Sequence, residues 1–457
     1  MDSIKDHIRP MTRQNPTLQG RISILGGGPA GLAAGYYAAK KGLEFKIFEA
    51  NDRVGGMCRT LSFGDFHFDL GAHRFHDQDV RVTREIKELL GDALQIIDIH
   101  SQIYSDGRLI DFPLSPINLI RNIGPIEAMN AGVQLLISRF IHRSKSLDDF
   151  EHYAIYKYGK PIAERFLLNY SEKLWGLPCS RLSLDISGKR LKGLSLTTFL
   201  MEAFTSTKAK ARHLDGAFYH PRRGFGEIVA GVTAAIGPGR CLTNRRVTRI
   251  SHQDSRLQSI GLNRGETVNS DQVISTLPLP NFLEMLDPRC PDEISDLAKG
   301  LSYRRLVLVM LMLNLESVTQ CGTVYFPDPE FPFNRVSEPR NRSPWMAPPG
   351  KTSLLAEIPC NREEPFDEGD RQKWIRTVSQ KLFQIGWIKE SDILDARVEH
   401  LDYAYPILDI GHVAKLDRIM KYLDSFVNLK LIGRNCLFKY THFHDMMRSG
   451  REAVEGL

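Results

Sequence analysis

The sequence predicts an α/β protein made of a Rossmann-type domain, an inserted helical domain and a substrate domain built on an antiparallel sheet. Three observations support this fold class. A strand, a glycine turn, a helix and a second strand fill residues 21–60, helical periodicity dominates residues 117–204, and strand-like runs follow residue 306. At 457 residues the chain is too long for one typical core and suits two or three domains.

The first strand and its glycine turn form a nucleotide-binding pattern. The apolar run 22–25 leads into GGGPAG, in which Gly26, Gly28 and Gly31 have the spacing of dinucleotide sites. These glycines permit the tight turn, the approach of backbone N–H groups to a pyrophosphate, and close helix packing, respectively. The second strand ends at Glu49, about 20 residues further on, where an acid hydrogen-bonds a ribose diol. An ordinary glycine turn is the alternative, but it would require neither the second strand nor the acid.

A second glycine turn, Arg-Val-Gly-Gly at residues 53–56, narrows the choice of dinucleotide. Together the two turns resemble FAD-binding oxidoreductases of the flavin amine oxidase superfamily rather than nicotinamide dehydrogenases. A carboxylate at Glu49 would also repel the extra phosphate of NADP. We therefore expect FAD as the cofactor and a Rossmann-type FAD-binding domain.

Composition and charge exclude several classes of protein. The chain is 42% apolar and 25% charged, as in ordinary globular proteins, and its net charge of +6 comes from dispersed basic residues. This distribution favours a small, anionic substrate over nucleic acid. The seven cysteines are scattered without a CxxC pair, which indicates neither disulfides nor zinc and fits a cytoplasmic location. The apolar run 306–313 is far short of the roughly 20 residues that a membrane-spanning helix needs. The oligomeric state stays open.

The order of the elements predicts a discontinuous FAD-binding domain. Besides the strands of the nucleotide unit, we expect a hairpin at 103–110 and strands at 63–70, 241–250, 271–276, 306–315, 322–326, 335–338, 352–358 and 429–432. Further helices are expected at 126–140, 162–174, 227–236, 371–385, 413–423 and from about 445. The divisions are a flexible arm (1–20), the FAD-binding domain (21–111, 216–276 and 401–457), the inserted helical domain (112–215) and the antiparallel-sheet substrate domain (277–400).

Ordered motifs extend the family resemblance from residue 22 over nearly the whole chain. They are LGAHRFH at 70–76, DFPL at 111–114, EKLWG at 172–176, SGKRL at 187–191, FNRV at 333–336, AYP at 404–406 and IGR at 432–434. With the nucleotide turn, they resemble UDP-galactopyranose mutase and its bacterial relatives, which are described as amine oxidase-like or protoporphyrinogen oxidase-like. The segment after Arg434 departs from the mutase version, so contacts to the pyrimidine end of the flavin stay open.

The resemblance implies which residues hold FAD. The loop around His73 would cover the flavin near N5, which makes His73 a predicted catalytic residue as well. The backbone near Val247 would lie by the adenine, and Asp445 and Met446 would donate backbone N–H groups. The predicted set is Gly26, Gly28, Pro29, Ala30, Gly31, Glu49, Ala50, Arg53, Gly55, Gly56, Met57, Arg59, Gly71, Ala72, His73, Arg74, Val247, Gly433, Arg434, Asp445 and Met446. His73 and His76 could instead be metal ligands, but no further ligands are spaced nearby, and a purely structural loop is the other alternative.

The resemblance also implies a substrate site. Arg190 and Arg335 match arginines that hold a substrate diphosphate in the mutases, and both are predicted to bind substrate and to act in catalysis. Guanidinium suits this role because its planar fork donates paired hydrogen bonds to phosphate oxygens. Tyr405 matches a tyrosine that helps them, and Trp175 matches a tryptophan of the substrate pocket. The alternatives are solvated or ion-paired arginines and a tryptophan that belongs to the core.

Three functions remain open at this point. The first is an FAD-dependent oxidoreductase whose substrate carries a sugar or phosphate, in glycan or secondary-metabolite biosynthesis. The second is a sugar-nucleotide mutase that uses reduced FAD without net redox change. The third is a flavin- or nucleotide-binding protein without turnover. The sequence favours the oxidoreductase, because the substrate-side motifs also occur in the relatives that are not mutases.

Overall fold

The computed structural model describes residues 21–112, 124–141, 148–187, 217–363 and 369–457. Its centre is a five-stranded parallel sheet. In spatial order the strands are Leu429–Leu431, Gln272–Ser275, Ile22–Leu25, Phe45–Phe48 and Cys241–Leu242. The chain runs from Ile22–Leu25 through a helix to Phe45–Phe48 on one side, whereas Gln272–Ser275 lies on the other side. The carboxyl end of Ile22–Leu25 is therefore a topological switch point, where α/β sheets bind ligands.

Four helices pack around this sheet and share its hydrophobic core: Pro29–Lys40, Val80–Leu90, Gly226–Ile236 and Phe443–Glu455. The first is rich in alanine and glycine, so other elements can approach it closely. A Cβ added at Gly450 would lie 2.6 Å from the Cβ of Ala33. The last helix of the chain thus packs directly on the helix that follows the first glycine turn.

The second large sheet has seven strands and is antiparallel except at one pairing. In spatial order its strands are Ile393–Pro406, Tyr303–Leu313, Thr352–Asn361, Arg335–Ser337, Thr323–Tyr325, Ser101–Ser105 and Arg108–Phe112. The exception is the parallel pairing of the fifth and sixth strands. The expected hairpin turn is present, since Asp106 and Gly107 both have positive φ, 49° and 74°, as a type I′ turn requires.

Smaller elements complete the described chain. The other strands are Thr60–Phe63 with Phe66–Asp69, Leu94–Ile97 with Phe218–Pro221, and the sheet of Thr267–Asn269, Arg256–Leu262, Val247–Gln253 and Leu286–Asp287. The other α-helices are Pro125–Ile141, Phe150–Tyr158, Lys160–Ile162, Asn169–Trp175, Leu279–Glu284, Asp292–Lys299, Asp370–Gln384 and His412–Leu423. A π-helical segment, Ala163–Leu168, precedes Asn169–Trp175. Short 3-10 helices are Gly56–Cys58, Gly91–Ala93, Cys179–Arg181, Leu184–Ser187, Pro339–Asn341, Pro344–Met346 and Glu390–Asp392.

The predicted fold class is confirmed, because a parallel nucleotide-type sheet is joined to a separate antiparallel one. Two expected strands are each divided by a turn. The run 63–70 is split at Gly64, which has φ of 59°, and the run 241–250 is split at Asn244, with φ of 52°. Positive φ ends strand pairing at both places.

Two elements bear on the predicted domain divisions. The strand Ile393–Pro406 was not expected, and it crosses the predicted division at 400/401. The hairpin 101–112 joins the seven-stranded sheet, although 21–111 was assigned to the FAD-binding domain. The divisions themselves remain a prediction. The expected arm at 1–20 and Arg190 lie outside the described residues. Within the described ranges, no helix combines the length and apolarity needed to cross a bilayer.

Candidate active site

A cavity of about 2120 Å³ opens at the carboxyl edge of the parallel sheet. It is lined by the first glycine turn and Glu49 and continues along the loop Gly71–Arg74. It then reaches Arg335 and Tyr405 on the seven-stranded sheet. The two large sheets thus supply opposite parts of one cavity.

The first glycine turn has the three local features that its sequence predicts. Gly26 adopts φ of 97°, which favours glycine. A Cβ at Gly31 would lie 1.9 Å from the carbonyl oxygen of Gly26, so the helix can pack on the strand only without a side chain there. A Cβ at Gly28 would meet no atom within 4 Å, because this position faces the open cavity.

The second glycine turn lies against the first. The N–H of Gly55 donates to the carbonyl of Gly27 at 2.7 Å. A Cβ at Gly56 would lie 3.2 Å from the Cα of Gly28, so the two turns meet through bare backbone. Gly55 and Gly56 have φ of 112° and 52°, which explains the paired glycines. The backbone of the two turns together forms one continuous surface at the amino end of the helix Pro29–Lys40.

Glu49 is oriented by the first glycine turn. Its Oε2 accepts the N–H of Gly27 at 2.8 Å, and its Oε1 accepts the backbone and side-chain N–H groups of Asn51 at 2.9 and 2.7 Å. The residue is 7% exposed and lines the cavity. A carboxylate can accept more bonds than these three. Glu49 therefore has the position and the capacity for the predicted bond to a ribose.

The loop Gly71–Arg74 is held in place by a polar contact of His73. The Nε2 of His73 lies 2.7 Å from the carbonyl oxygen of Met57. Burial lowers the pKa of His73, while Asp69 opposes that shift. The described residues contain no group of three or more His, Cys, Asp or Glu side chains that could hold a metal ion. The imidazole of His73 thus ties the loop to the second glycine turn.

Asp69, just before this loop, is a buried polar anchor that the sequence did not reveal. Its Oδ2 lies 3.0 Å from Nε2 of the fully buried His220, and its Oδ1 accepts the N–H of Phe225 at 2.7 Å and the hydroxyl of Thr60 at 2.6 Å. Burial raises the pKa of Asp69, but His220, His73 and Thr60 outweigh burial and lower it to about 2. The carboxylate therefore stabilises the fold in its charged form.

We expect acid to destabilise the protein through Asp69. Because its pKa falls from 3.8 in the unfolded chain to about 2 in the fold, the stabilisation is complete above pH 4 and is lost as the pH falls through 2. The loss is about 2 kcal/mol. The free energy of unfolding, measured with denaturant and plotted against pH between pH 5 and pH 2, should show this loss as a slope. Asp69→Asn should flatten it, whereas Asp65→Asn in the exposed turn of the same hairpin should not. An unchanged slope in Asp69→Asn would contradict the assignment.

On the far wall, Arg335 is paired with a carboxylate. Its Nε lies 2.6 Å from Oε1 of Glu357, and its Nη2 donates to Oε2 at 2.6 Å and to the hydroxyl of Tyr405 at 3.2 Å. Burial alone lowers the pKa of Arg335, but Glu357 outweighs it and holds the pKa well above its usual value. A Cβ at Gly71 would lie 3.6 Å from Nη2 of Arg335, so this pair packs against the loop Gly71–Arg74.

An aromatic cluster surrounds Tyr405. Its ring stacks on Tyr440, with centroids 6.1 Å apart, and meets the edge of Trp175 at 5.9 Å. Trp175 is 4% exposed and belongs to the hydrophobic core, while Tyr405 and Tyr440 line the cavity. The guanidinium of Arg434 lies over the Tyr440 ring, 5.1 Å from its centroid. Trp175 therefore supports the cavity wall from behind.

Most of the predicted site residues lie along this one cavity. They are Gly26, Gly28, Pro29, Ala30, Glu49, Ala50, Gly56, Met57, Arg59, Gly71, Ala72, His73, Arg74, Arg335, Tyr405, Gly433, Arg434, Asp445 and Met446. Gly31 and Gly55 lie behind the two turns and shape them. Their roles toward a ligand remain predictions.

Other predicted residues lie elsewhere. Arg53 is exposed, with its Nε 3.7 Å from the carboxylate of Asp52. Val247 is buried in the core, and its neighbour Arg246 lines the cavity instead. Arg190 lies outside the described residues. These positions give no support to the side chains of Arg53 and Val247 as ligand contacts.

The backbone donors expected at the last helix are already used within it. The N–H of Asp445 donates to the side chain of His442, and that of Met446 donates to the carbonyl of His442 at 3.1 Å. The Oδ2 of Asp445 in turn accepts the N–H of His442 at 3.0 Å. In this conformation both N–H groups are engaged within the helix cap, and their donation to a flavin stays a prediction.

The fold and the cavity define a class of protein, namely one with a Rossmann-type sheet whose ligand-binding edge opens into a cavity that a second sheet also lines. The chain belongs to the flavin-containing amine oxidoreductase family, whose model matches residues 29–457. Its cofactor is therefore a flavin. The open backbone above Gly28, together with the adjoining second glycine turn, fits the phosphates of such a group.

Similar proteins agree with this family. Coproporphyrinogen III oxidase of Bacillus subtilis (strain 168) is 22% identical over 95% of this chain and 97% of its own length. Protoporphyrinogen oxidase 2, chloroplastic/mitochondrial, of Arabidopsis thaliana is 28% identical, but the chain matches only 25% of its length. A structure of reduced UDP-galactopyranose mutase has a TM-score of 0.86 at 21% identity, with 95% of each chain covered. At this identity the structural likeness shows the fold, while the match to the family model confirms the predicted family resemblance.

Proposed function

We propose that the protein is an FAD-dependent oxidoreductase acting on a small substrate that bears a sugar or phosphate group. The observation that carries the proposal is the single cavity from Glu49 and the glycine turns to Arg335 and Tyr405. A dinucleotide needs the turns for its pyrophosphate and the acid for its ribose, and both lie at one end. The other end adds space for a substrate. FAD, rather than a mononucleotide, uses all of these features.

Bound FAD would supply a two-electron acceptor, and the protein would bind, orient and shield the reactants. Arg335 and Tyr405 would orient the substrate by hydrogen bonds, since Glu357 fixes the guanidinium at two points. The rings of Tyr405 and Tyr440 would exclude water from the reacting face. His73, tied to Met57, would hold the loop that covers the cofactor.

A sugar-nucleotide mutase is the second candidate. The contact between Arg335 and Tyr405 favours it, because these residues match the pair that binds the substrate diphosphate in that family. Arg190, the second matching arginine, lies outside the described residues. Net redox chemistry separates the two candidates, since a mutase returns its cofactor to the starting state.

The absorbance spectrum of the purified protein tests the proposal. We expect flavin bands, and mass spectrometry of the released cofactor should identify FAD. Under anaerobic conditions, amines, alcohols and UDP-hexoses are added one by one. A substrate of an oxidoreductase bleaches the flavin, and an electron acceptor restores its colour. If no substrate bleaches the oxidised flavin, and the protein interconverts a UDP-hexose only after reduction by dithionite, the protein is a mutase. A colourless protein that cannot be loaded with FAD would contradict both.

A further inference from the structure

Two arginines approach Tyr405, and their charges are balanced differently. Arg335 reaches the hydroxyl of Tyr405 and is paired with the buried carboxylate of Glu357 at two points. Arg434 lies over the face of the same ring, 5.7 Å from guanidinium carbon to ring centroid. The glutamate thus neutralises the charge of Arg335, although the family resemblance points to this residue, together with Arg190, for binding an anion.

The contacts of Arg434 are with neutral groups. Its Nη1 donates to the carbonyl of Ala404 at 3.2 Å, and its Nη2 donates to the carbonyl of Thr441 at 3.0 Å. Its Nε is buried and has no hydrogen-bond partner among the described residues. In the part of the chain that the structure describes, no carboxylate lies within ion-pair distance of this guanidinium. Two of its five N–H donors are used, and the residue lines the cavity.

The nearby carboxylates are already paired with other groups. Asp69 is bound to His220 and Glu357 is bound to Arg335. Behind the loop, the buried Arg342 donates to the carbonyl of Gly322 and to the hydroxyls of Thr323 and Ser337. Burial lowers the pKa of Arg342 to about 10, and the charge of Arg74 acts in the same direction. Within the described residues, Arg434 and Arg342 therefore both lie here without a carboxylate in an ion pair.

We propose that Arg434 is an anion-binding residue of the cavity and receives the negative charge of a bound ligand. A guanidinium with spare donors and no counter-ion, shielded by two tyrosine rings, attracts an anion more strongly than one in water. Two sources could supply the anion, namely the reduced flavin or a phosphate of the substrate. The first rests on the proposed function, because it requires bound FAD, whereas the second does not.

The midpoint potential of the bound flavin tests the first source. Arg434→Gln removes the charge but keeps a donor for the carbonyl of Ala404, and Arg434→Lys keeps the charge. If the reduced flavin is the anion, Arg434→Gln lowers the potential by about 30 mV, which is a tenfold change for a two-electron couple. In Arg434→Lys, the midpoint potential of the flavin should stay close to that of the unaltered protein. The control is Arg340→Gln, because Arg340 is also held by carbonyls, those of Pro348 and Lys351, but does not line the cavity.

The affinity for UDP, compared with that for uridine, tests the second source in protein with or without FAD. If a substrate phosphate is the anion, Arg434→Gln weakens UDP binding about tenfold, or about 1.4 kcal/mol. Binding of uridine, which has no phosphate, should stay the same. Arg434→Lys should restore most of the loss, and Arg340→Gln should bind UDP like the unaltered protein.

The outcomes are distinct. A lower potential alone assigns the anion to the flavin, and weaker UDP binding alone assigns it to the substrate. If neither changes, or if Arg434→Lys behaves like Arg434→Gln in both, the proposal is overturned. Should Arg434→Gln fail to fold, Arg434→His is measured with its imidazole charged and neutral. The potential or the UDP affinity must then depend on pH more steeply than in the unaltered protein, and equal dependence overturns the proposal. A protein that holds no FAD refutes the proposed function but leaves the UDP measurement valid.

Discussion

Replacing Glu357 with glutamine is expected to lower the free energy of unfolding by about 3–5 kcal/mol. Glu357 is completely buried, and its carboxylate faces the guanidinium of Arg335 at two points. The substitution leaves a buried arginine without its counter-ion, so the cost exceeds that of one lost hydrogen bond. Because this pair packs against Gly71, the loop Gly71–Arg74 that lines the cavity should loosen as well. Denaturant unfolding of the cofactor-free protein measures the loss.

Two controls separate charge from packing. Combining Glu357→Leu with Arg335→Met replaces the whole pair by apolar side chains and should recover most of the stability. Glu164→Gln breaks the exposed pair between Glu164 and Lys160 and should change the stability by less than about 0.5 kcal/mol. A Glu357→Gln protein as stable as the unaltered one would show that Arg335 finds another partner or sheds its charge.

Gly31→Ala is expected to abolish flavin binding and to destabilise the cofactor-free protein. The added Cβ would lie 1.9 Å from the carbonyl oxygen of Gly26, and backbone atoms cannot yield as a flexible side chain does. The helix must therefore move off its strand, at a cost of about 1–3 kcal/mol. Flavin content after purification and the melting temperature of the cofactor-free protein measure the two effects.

Gly28→Ala is the matched variant, because its Cβ would meet no atom of the protein within 4 Å. Gly28 has φ of −70°, which alanine adopts without strain. We expect unchanged or slightly higher stability without cofactor, together with weakened flavin binding, since the methyl group points into the cavity. If Gly28→Ala retains its flavin, the phosphates do not lie above this turn.

The nucleotide end of the site was predictable because its signals are local. Gly26 and Gly31 are required by a φ value and by a backbone contact a few residues away, and the glycine spacing reports both. The turn at Asp106 and Gly107 is equally local, since a type I′ turn leaves few choices of residue. Such features can be read from neighbouring residues without knowledge of the rest of the fold.

The substrate end was less predictable because its contacts join distant parts of the chain. Glu357 meets Arg335 across paired strands, and its one available signal was a single carboxylate inside the apolar run Leu354–Ile358. The strand Ile393–Pro406 was missed because it lies at the edge of its sheet, and an edge strand can keep a polar sequence. The pairing of Asp69 with His220 likewise links residues that show no joint pattern in the sequence.

The close packing of Gly450 on Ala33 has a consequence for synthesis of the chain. The helix that follows the first glycine turn is synthesised long before its neighbour Phe443–Glu455, on which it packs. The edge strand Leu429–Leu431 of the parallel sheet emerges almost as late. Contacts between such distant residues form slowly, because a long loop must close first. Until both segments are in place, the parallel sheet lacks its edge strand and the helix Pro29–Lys40 leaves an apolar face uncovered.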